Sequence, residues 1–247
     1  MARGAQTQLE HPRKGSISVH GKYGLGNLKL PASEDKFNDS LAWDFIYEKA
    51  IEYNGELEII SIAPMTNLAH LFQKHPDVVP YIKRIISMGG TMWLGNRSKF
   101  SEFNYWIDPA AASIVFQSGV PITMIGLNVT MASGIPLKLI KRLTAGNSKY
   151  ADALKKLLES YEDCFPNKNC EDSVTVHDAV AVAYAMDPGC CKTHKGYVSI
   201  CTDDAQYGRS LVQFDDSKKH NTEIVTDINM DQYEEMLVDM MKYFKTL

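Results

Sequence analysis

Apolar residues first gather into a near-continuous run at Leu57-Glu58-Ile59-Ile60-Ser61-Ile62-Ala63, a short β-branched segment suited to a strand buried on both faces of a parallel sheet. Pro64 ends it. Thr66 then stands as an N-cap ahead of Leu68, Ala69, Leu71 and Phe72 at helical spacing, closed off near Pro76. The same order returns: Tyr81 to Met88 reads as a second strand running into Gly89-Gly90, Pro109 to Phe116 as a helix, and Pro121 to Leu127 as a third strand. Helices follow over Ile135 to Leu143, Ala151 to Tyr161 and Ala179 to Ala185, then short strands at Gly196 to Ile200, Leu211 to Phe214 and Glu223 to Val225. An amphipathic helix from Gln232 to Phe244 closes the chain, with Met236, Leu237 and Met240 on its inner face. This alternation predicts right-handed βαβ units and an α/β fold, a single-domain, open, mostly parallel sheet flanked by helices. Some 56 residues of mixed loop and helix precede the first buried strand, which is unusual for a compact domain of this class.

The composition fits this picture. In 247 residues, 45% hydrophobic content fills a substantial core, and no repeat or low-complexity linker divides the chain. Twenty-six Lys and Arg against 30 Asp and Glu give a net charge of −4, so neither nucleic acid nor an anionic membrane is an expected partner. The opening residues, Met1 to Ser18, are polar and lack the apolar core of a signal peptide, and no run approaches the length of a membrane span. A soluble, cytoplasmic protein is expected. The five cysteines, Cys164, Cys170, Cys190, Cys191 and Cys201, show no CxxC spacing and read as ordinary thiols.

Candidate chemistry lies where open α/β sheets place their ligands, in the loops at the carboxyl ends of the strands. The loop after Met88 is the richest, bringing Asn96, Glu102, Asn104 and several aromatics into one irregular stretch. It reads equally as a functional loop or as a solvent-exposed excursion. His177-Asp178 opens an alanine-rich helix, where a carboxylate in the first turn also complements the helix dipole without any catalytic role. His20-Gly21-Lys22-Tyr23-Gly24-Leu25-Gly26-Asn27 is a glycine-rich turn that matches neither common phosphate-binding pattern.

Taken together, His20-Gly-Lys-Tyr-Gly-Leu-Gly-Asn, Ile62-Ala-Pro-Met-Thr-Asn-Leu-Ala, Met88-Gly-Gly, Glu102-Phe-Asn-Tyr-Trp-Ile-Asp-Pro-Ala-Ala-Ala, Gly126-Leu-Asn-Val-Thr and His177-Asp-Ala-Val-Ala-Val-Ala-Tyr occur in the order and near the spacing of the inosine–uridine-preferring nucleoside hydrolases, and the chain resembles that family over nearly its whole length. The resemblance implies hydrolysis of the N-glycosidic bond of ribonucleosides at a bound calcium ion. It matches Asp178 to a calcium-ligating carboxylate and Ile62 to a backbone carbonyl ligand. Asn96, Glu102 and Asn104 match ribose-binding residues, and Met88 an apolar contact beneath the sugar. His177 and His20 match residues near the departing base. Anionic groups around the ring suit the oxocarbenium-like transition state of glycoside hydrolysis.

One family element is not found. The DxDxxxDD cluster of an N-terminal strand, which in the family supplies further calcium carboxylates and the Asp that activates water, has no counterpart, and no D-x-D occurs anywhere in the chain. The start of the chain resembles family sequence downstream of that cluster, so the N-terminal strands are expected to be missing and an apolar sheet edge exposed. Three accounts fit: a truncated gene model or splice product, a degenerate non-catalytic relative, or a chain that obtains the strands from another polypeptide. Hydrolysis by the 247-residue chain is expected to be weak or nil, with a ribose-binding or scaffold protein as the rival reading. Base preference is assigned to a loop over Asp163 to Val174, and the family's dimers and tetramers suggest a homo-oligomer.

Overall fold

The computed structural model describes residues 1–11, 20, 24–26, 28–30, 36–145, 148–164, 173–215 and 217–245. They fall into two compact units, one of Met1–Arg13, Glu34–Asn128 and Lys192–Asp227, the other of Lys14–Ser33, Val129–Cys191 and Ile228–Leu247. The larger unit carries the sheet. Its strands are β1 (Leu57–Ser61), β2 (Ile82–Met88), β3 (Ile122–Ile125), β6 (Cys191–Ile200), β7 (Ser210–Gln213) and β8 (Thr222–Ile228), in the spatial order β1-β2-β3-β8-β6-β7. β1, β2, β3 and β8 run parallel, with Ser61 in register with Ser87 and Ser87 with Met124. β6 reverses direction: the Asn221 N–H donates to the Gly196 carbonyl and the Thr226 hydroxyl to the Lys192 carbonyl, and β7 continues antiparallel to β6. The α/β fold is as expected, with a mixed sheet whose parallel part holds its carboxyl-terminal loops at one end.

Helices α1 (Ala42–Tyr53), α2 (Thr66–Lys74), α3 (Phe103–Ile107) and α4 (Pro109–Gln117) belong to this unit. Its core joins Leu68, Leu71 and Phe72 of α2 to Val115 and Phe116 of α4 and to Ile82, Ile85, Ile122, Met124 and Ile224 of the strands. Each such side chain, taken fully out of water, contributes about 1.5–3 kcal/mol.

The second unit holds the β4 (Ile135–Pro136) and β5 (Ser173–Val174) pair, with α6 (Leu137–Leu143), α7 (Lys149–Cys164), α8 (His177–Met186) and α9 (Met230–Lys245). A short α5 (Leu127–Thr130) spans the boundary along the chain. Among the described residues no helix is long and apolar enough to cross a membrane.

Several local expectations need correction. Thr66 is the first residue of α2 and does not cap it; its hydroxyl instead donates to Asp108 Oδ2 at 2.6 Å. Ile135 and Pro136 pair as a strand, and α6 begins only at Leu137, because a proline accepts no place in a helix interior. On α9 the inner face is Tyr233, Leu237 and Met241, an i, i+4 stripe centred on Leu237, while Met240 sits at the edge of that stripe and is 37% exposed. β1 is not buried on both faces: as the terminal strand it leaves Ile60 at 38% exposure, and Ile62 just beyond it at 42%.

A buried anchor ties this unit together across the sequence. Asp108, 1% exposed, caps α4 through the Ala111 N–H at 3.2 Å, takes the Thr66 hydroxyl, and accepts the Leu9 N–H at 3.1 Å, which pins the opening segment. Asp108→Ala removes the cap and strands the other donors, so unfolding free energy should fall by about 2–4 kcal/mol. Urea titration checks the loss, and faster amide exchange at Leu9 checks its origin.

At the surface, hydrogen bonds from His75 and Lys74, at 2.9 and 2.7 Å, hold the Asp44 carboxyl below its ordinary value. A carboxylate depressed in the folded state stabilises above its unfolded pKa, near 4, and loses that contribution as pH falls through the folded value. Asp44→Asn should therefore cost no more than about 1 kcal/mol at neutral pH. The difference from the parent should vanish on acidification, as pH-dependent melting would show.

Candidate functional site

Ile62 directly follows β1 and Met88 ends β2, so the parallel register places both at the carboxyl ends of neighbouring strands. The chain leaves Met88 through Gly89-Gly90 and returns at Glu102, which serves as the N-cap of α3. Glu102 is 2% exposed, and both its oxygens are engaged by backbone: Oε1 accepts the Asn104 N–H at 2.7 Å, and Oε2 accepts the Gly90 N–H at 2.9 Å and the Tyr105 N–H at 3.2 Å. One carboxylate thus fixes both ends of the loop.

Asn104, also buried, donates from Nδ2 to the Met88 carbonyl at 3.1 Å, which orients its amide toward the end of β2. Asn96 is exposed, and its Oδ1 accepts the Phe103 N–H at 3.0 Å. The structure therefore brings Met88, Glu102 and Asn104 into one hydrogen-bonded group, with Asn96 attached to the start of α3.

Residues outside the expected set complete this group. The Tyr105 ring is fully buried, and its hydroxyl is paired with Ser87 Oγ at 2.9 Å. Burial pushes the Tyr105 phenol well above its usual range, so it remains protonated. Ser210 on β7 donates to the Thr91 carbonyl at 2.7 Å and accepts the Thr91 N–H at 2.9 Å. Asn128 donates to the Val225 carbonyl at 3.0 Å, linking the ends of β3 and β8. Tyr105 and Asn128 stood within the motifs, but Ser210 carried no sequence signal. A cavity of ≈ 770 Å³ in the same unit opens at the opposite, amino-terminal ends of β3 and β8 and includes none of these residues.

In the second unit His177 and Asp178 are the first two residues of α8. His177 Nδ1 lies 2.7 Å from Thr130 Oγ1, and burial lowers its pKa to about 4, so the ring is neutral at pH 7. Burial raises the Asp178 carboxyl to about 6. His20 is exposed, with its carbonyl accepting the Gly26 N–H at 2.9 Å. Residues 21–23 and 27 of its turn, and residues 165–172 of the stretch expected to set base preference, lie outside the described residues.

The oxygen donors expected to hold a metal are the Ile62 carbonyl and the Asp178 carboxylate. Among the described residues no three His, Cys, Asp or Glu side chains gather into a metal-holding group. Calcium takes six to eight oxygens, so this donor set does not fit a tightly held calcium ion.

A buried carboxylate and amide fixed at the strand ends of a parallel sheet make a site class suited to a small polyhydroxylated ligand. Comparison with known proteins narrows it. The family model described as inosine-uridine preferring nucleoside hydrolase matches residues 1–235, and the chain belongs to that family. It is 29% identical over 232 residues to a pyrimidine-specific ribonucleoside hydrolase of Salmonella paratyphi A, covering 92% of this chain and 74% of the relative, and to the same extent to one from Escherichia coli. Among solved structures, a purine-preferring ribonucleoside hydrolase from Gardnerella vaginalis superposes with a TM-score of 0.90 at 26% identity, over 98% of this chain and 79% of that one. A plant nucleoside hydrolase superposes with a TM-score of 0.90 at 25% identity, over 97% and 79%.

Proposed function

We propose that this chain binds ribonucleosides through the Met88–Gly90–Glu102–Asn104 group and that the 247-residue polypeptide hydrolyses their N-glycosidic bond weakly or not at all. The observation that carries the first half is the doubly anchored Glu102, which holds a carboxylate and the Asn104 amide rigidly at the end of β2. Rigid polar groups bind sugar hydroxyls without an ordering cost, and an anion so placed favours positive charge developing on a ribose ring. On this reading Asn96, Glu102 and Asn104 take the ribose hydroxyls and Met88 lies beneath the sugar. His177 and His20 serve the base side, where a polar group assists the leaving base.

The second half rests on the donor count. The family uses a metal, and calcium, assigned here by resemblance, would find in Ile62 and Asp178 two of the oxygens it needs. Without a well-held cation, water at the site lacks its main source of acidity. Steady-state kinetics with inosine and uridine in calcium buffer test this: turnover like that of the curated relatives overturns it. Titration of the same nucleosides separates the remaining outcomes, because binding without product supports a nucleoside-binding, non-catalytic role. The two groups of relatives carry opposite base preferences in their names, pyrimidine-specific and purine-preferring, at comparable identity, so both substrates belong in the assay. A homo-dimer or tetramer forms part of the same proposal, and light scattering checks it.

A further inference from the structure

Away from this site, Cys190 and Cys191 stand side by side where a 3-10 turn (Pro188–Cys190) meets β6. Their sulfurs are 3.6 Å apart. Cys190 is fully buried and its backbone is held on both sides, its N–H by the Asp187 carbonyl at 3.1 Å and its carbonyl by the Asn229 N–H at 2.8 Å. Cys191 is half-buried and gives access.

From this geometry we propose that Cys190 and Cys191 form a vicinal dithiol site that captures trivalent arsenic. An atom bonded to both sulfurs at about 2.3 Å, the length of a zinc–thiolate bond, would subtend an angle of about 103° across the observed separation. That angle suits a three-coordinate, pyramidal centre bearing a lone pair. A structural zinc ion needs four ligands, and among the described residues no third His, Cys, Asp or Glu side chain joins the pair in a metal-holding group. A disulfide, with sulfurs about 2.05 Å apart, would require them to close by roughly 1.5 Å against the fixed backbone of Cys190. Arsenic brings its own third substituent and leaves the sulfurs nearly in place.

The chemistry is a condensation and needs no oxidant. An aryl arsenoxide, R–As=O, adds one thiol to give R–As(OH)–S, and the second thiol displaces the hydroxyl as water. Two S–H bonds are lost, two As–S bonds form, and one water is released, with arsenic trivalent throughout. Burial raises the Cys190 thiol above its usual pKa, so it is present in the protonated form this reaction consumes. Attack begins at the accessible Cys191, and ring closure onto Cys190 is intramolecular.

The test is intact-mass analysis of the folded full chain treated with one equivalent of phenylarsine oxide. One bridging adduct per chain is expected, removed by a small dithiol but requiring about a hundredfold more of a monothiol, as two-point attachment implies. Cys191→Ala should lose the monothiol-resistant adduct, whereas Cys201→Ala and the double variant Cys164→Ala with Cys170→Ala should keep it. Cys190→Ala serves as a further check, provided its melting curve remains cooperative. A monothiol-resistant adduct that survives in Cys191→Ala, or an adduct on the parent chain that a monothiol removes as easily as a dithiol does, overturns the proposal.

Discussion

Glu102→Gln should lower the stability of the chain by about 2–4 kcal/mol and abolish nucleoside binding. The carboxylate accepts three backbone N–H groups in a buried setting, and glutamine offers an N–H₂ where one of its oxygens stood. At least one of the donors on Gly90, Asn104 and Tyr105 would then face another donor. Bonds to a charged acceptor are also stronger than those to a neutral amide. In urea the midpoint should fall with little change in slope, the sign of a stability loss without a change in the surface exposed. Loss of binding at a temperature where the variant remains folded would show that the anchor positions the ligand groups as well as the backbone. An unchanged midpoint would mean that Glu102 is not the clasp described here.

A methyl group at Gly90 should be comparably costly. Gly90 has φ +71°, and a Cβ there would sit 2.6 Å from Tyr105 Cε2 and 2.8 Å from Met124 Cε, both on fully buried side chains. The left-handed backbone costs an L-residue about 1–2 kcal/mol and overpacking a rigid core another 1–3, so Gly90→Ala should lose about 2–5 kcal/mol. Gly119 provides the control. Its φ is +87°, but the nearest atom to an added Cβ is Val79 Cγ1 at 3.9 Å, so Gly119→Ala should show the backbone penalty alone, about 1–2 kcal/mol. Equal losses in the two variants would count against crowding by Tyr105. Because Gly90 also donates to Glu102, its substitution should weaken nucleoside binding, whereas that of Gly119 should not.

The chain's local chemistry made much of this legible. Strand β2 followed by Gly89-Gly90, the helix opening at Pro109, and His177-Asp178 at the start of α8 all depend on neighbours within a turn or two, the range over which residue spacing reports structure. The same short-range grammar missed the strand at Ile135–Pro136, where the proline gave a boundary that the apolar spacing concealed. It also took β1 as buried on both faces, because a β-branched run looks the same whether or not the fold fully covers its outer face.

What the amino-acid sequence by itself determined was the alternation of strands and helices, the family, and which loop gathers amides and a carboxylate. What only the tertiary structure decided was how those groups are held. Glu102 became a clasp on Gly90, Thr66 became a donor to Asp108 across 42 residues, and Ser210 locked Thr91 from 119 residues away. Such bonds form because burial leaves no water to satisfy a polar group, so each must find a partner among whatever side chains the fold brings near. That partner is set by strand order and packing, which local spacing along the chain does not encode.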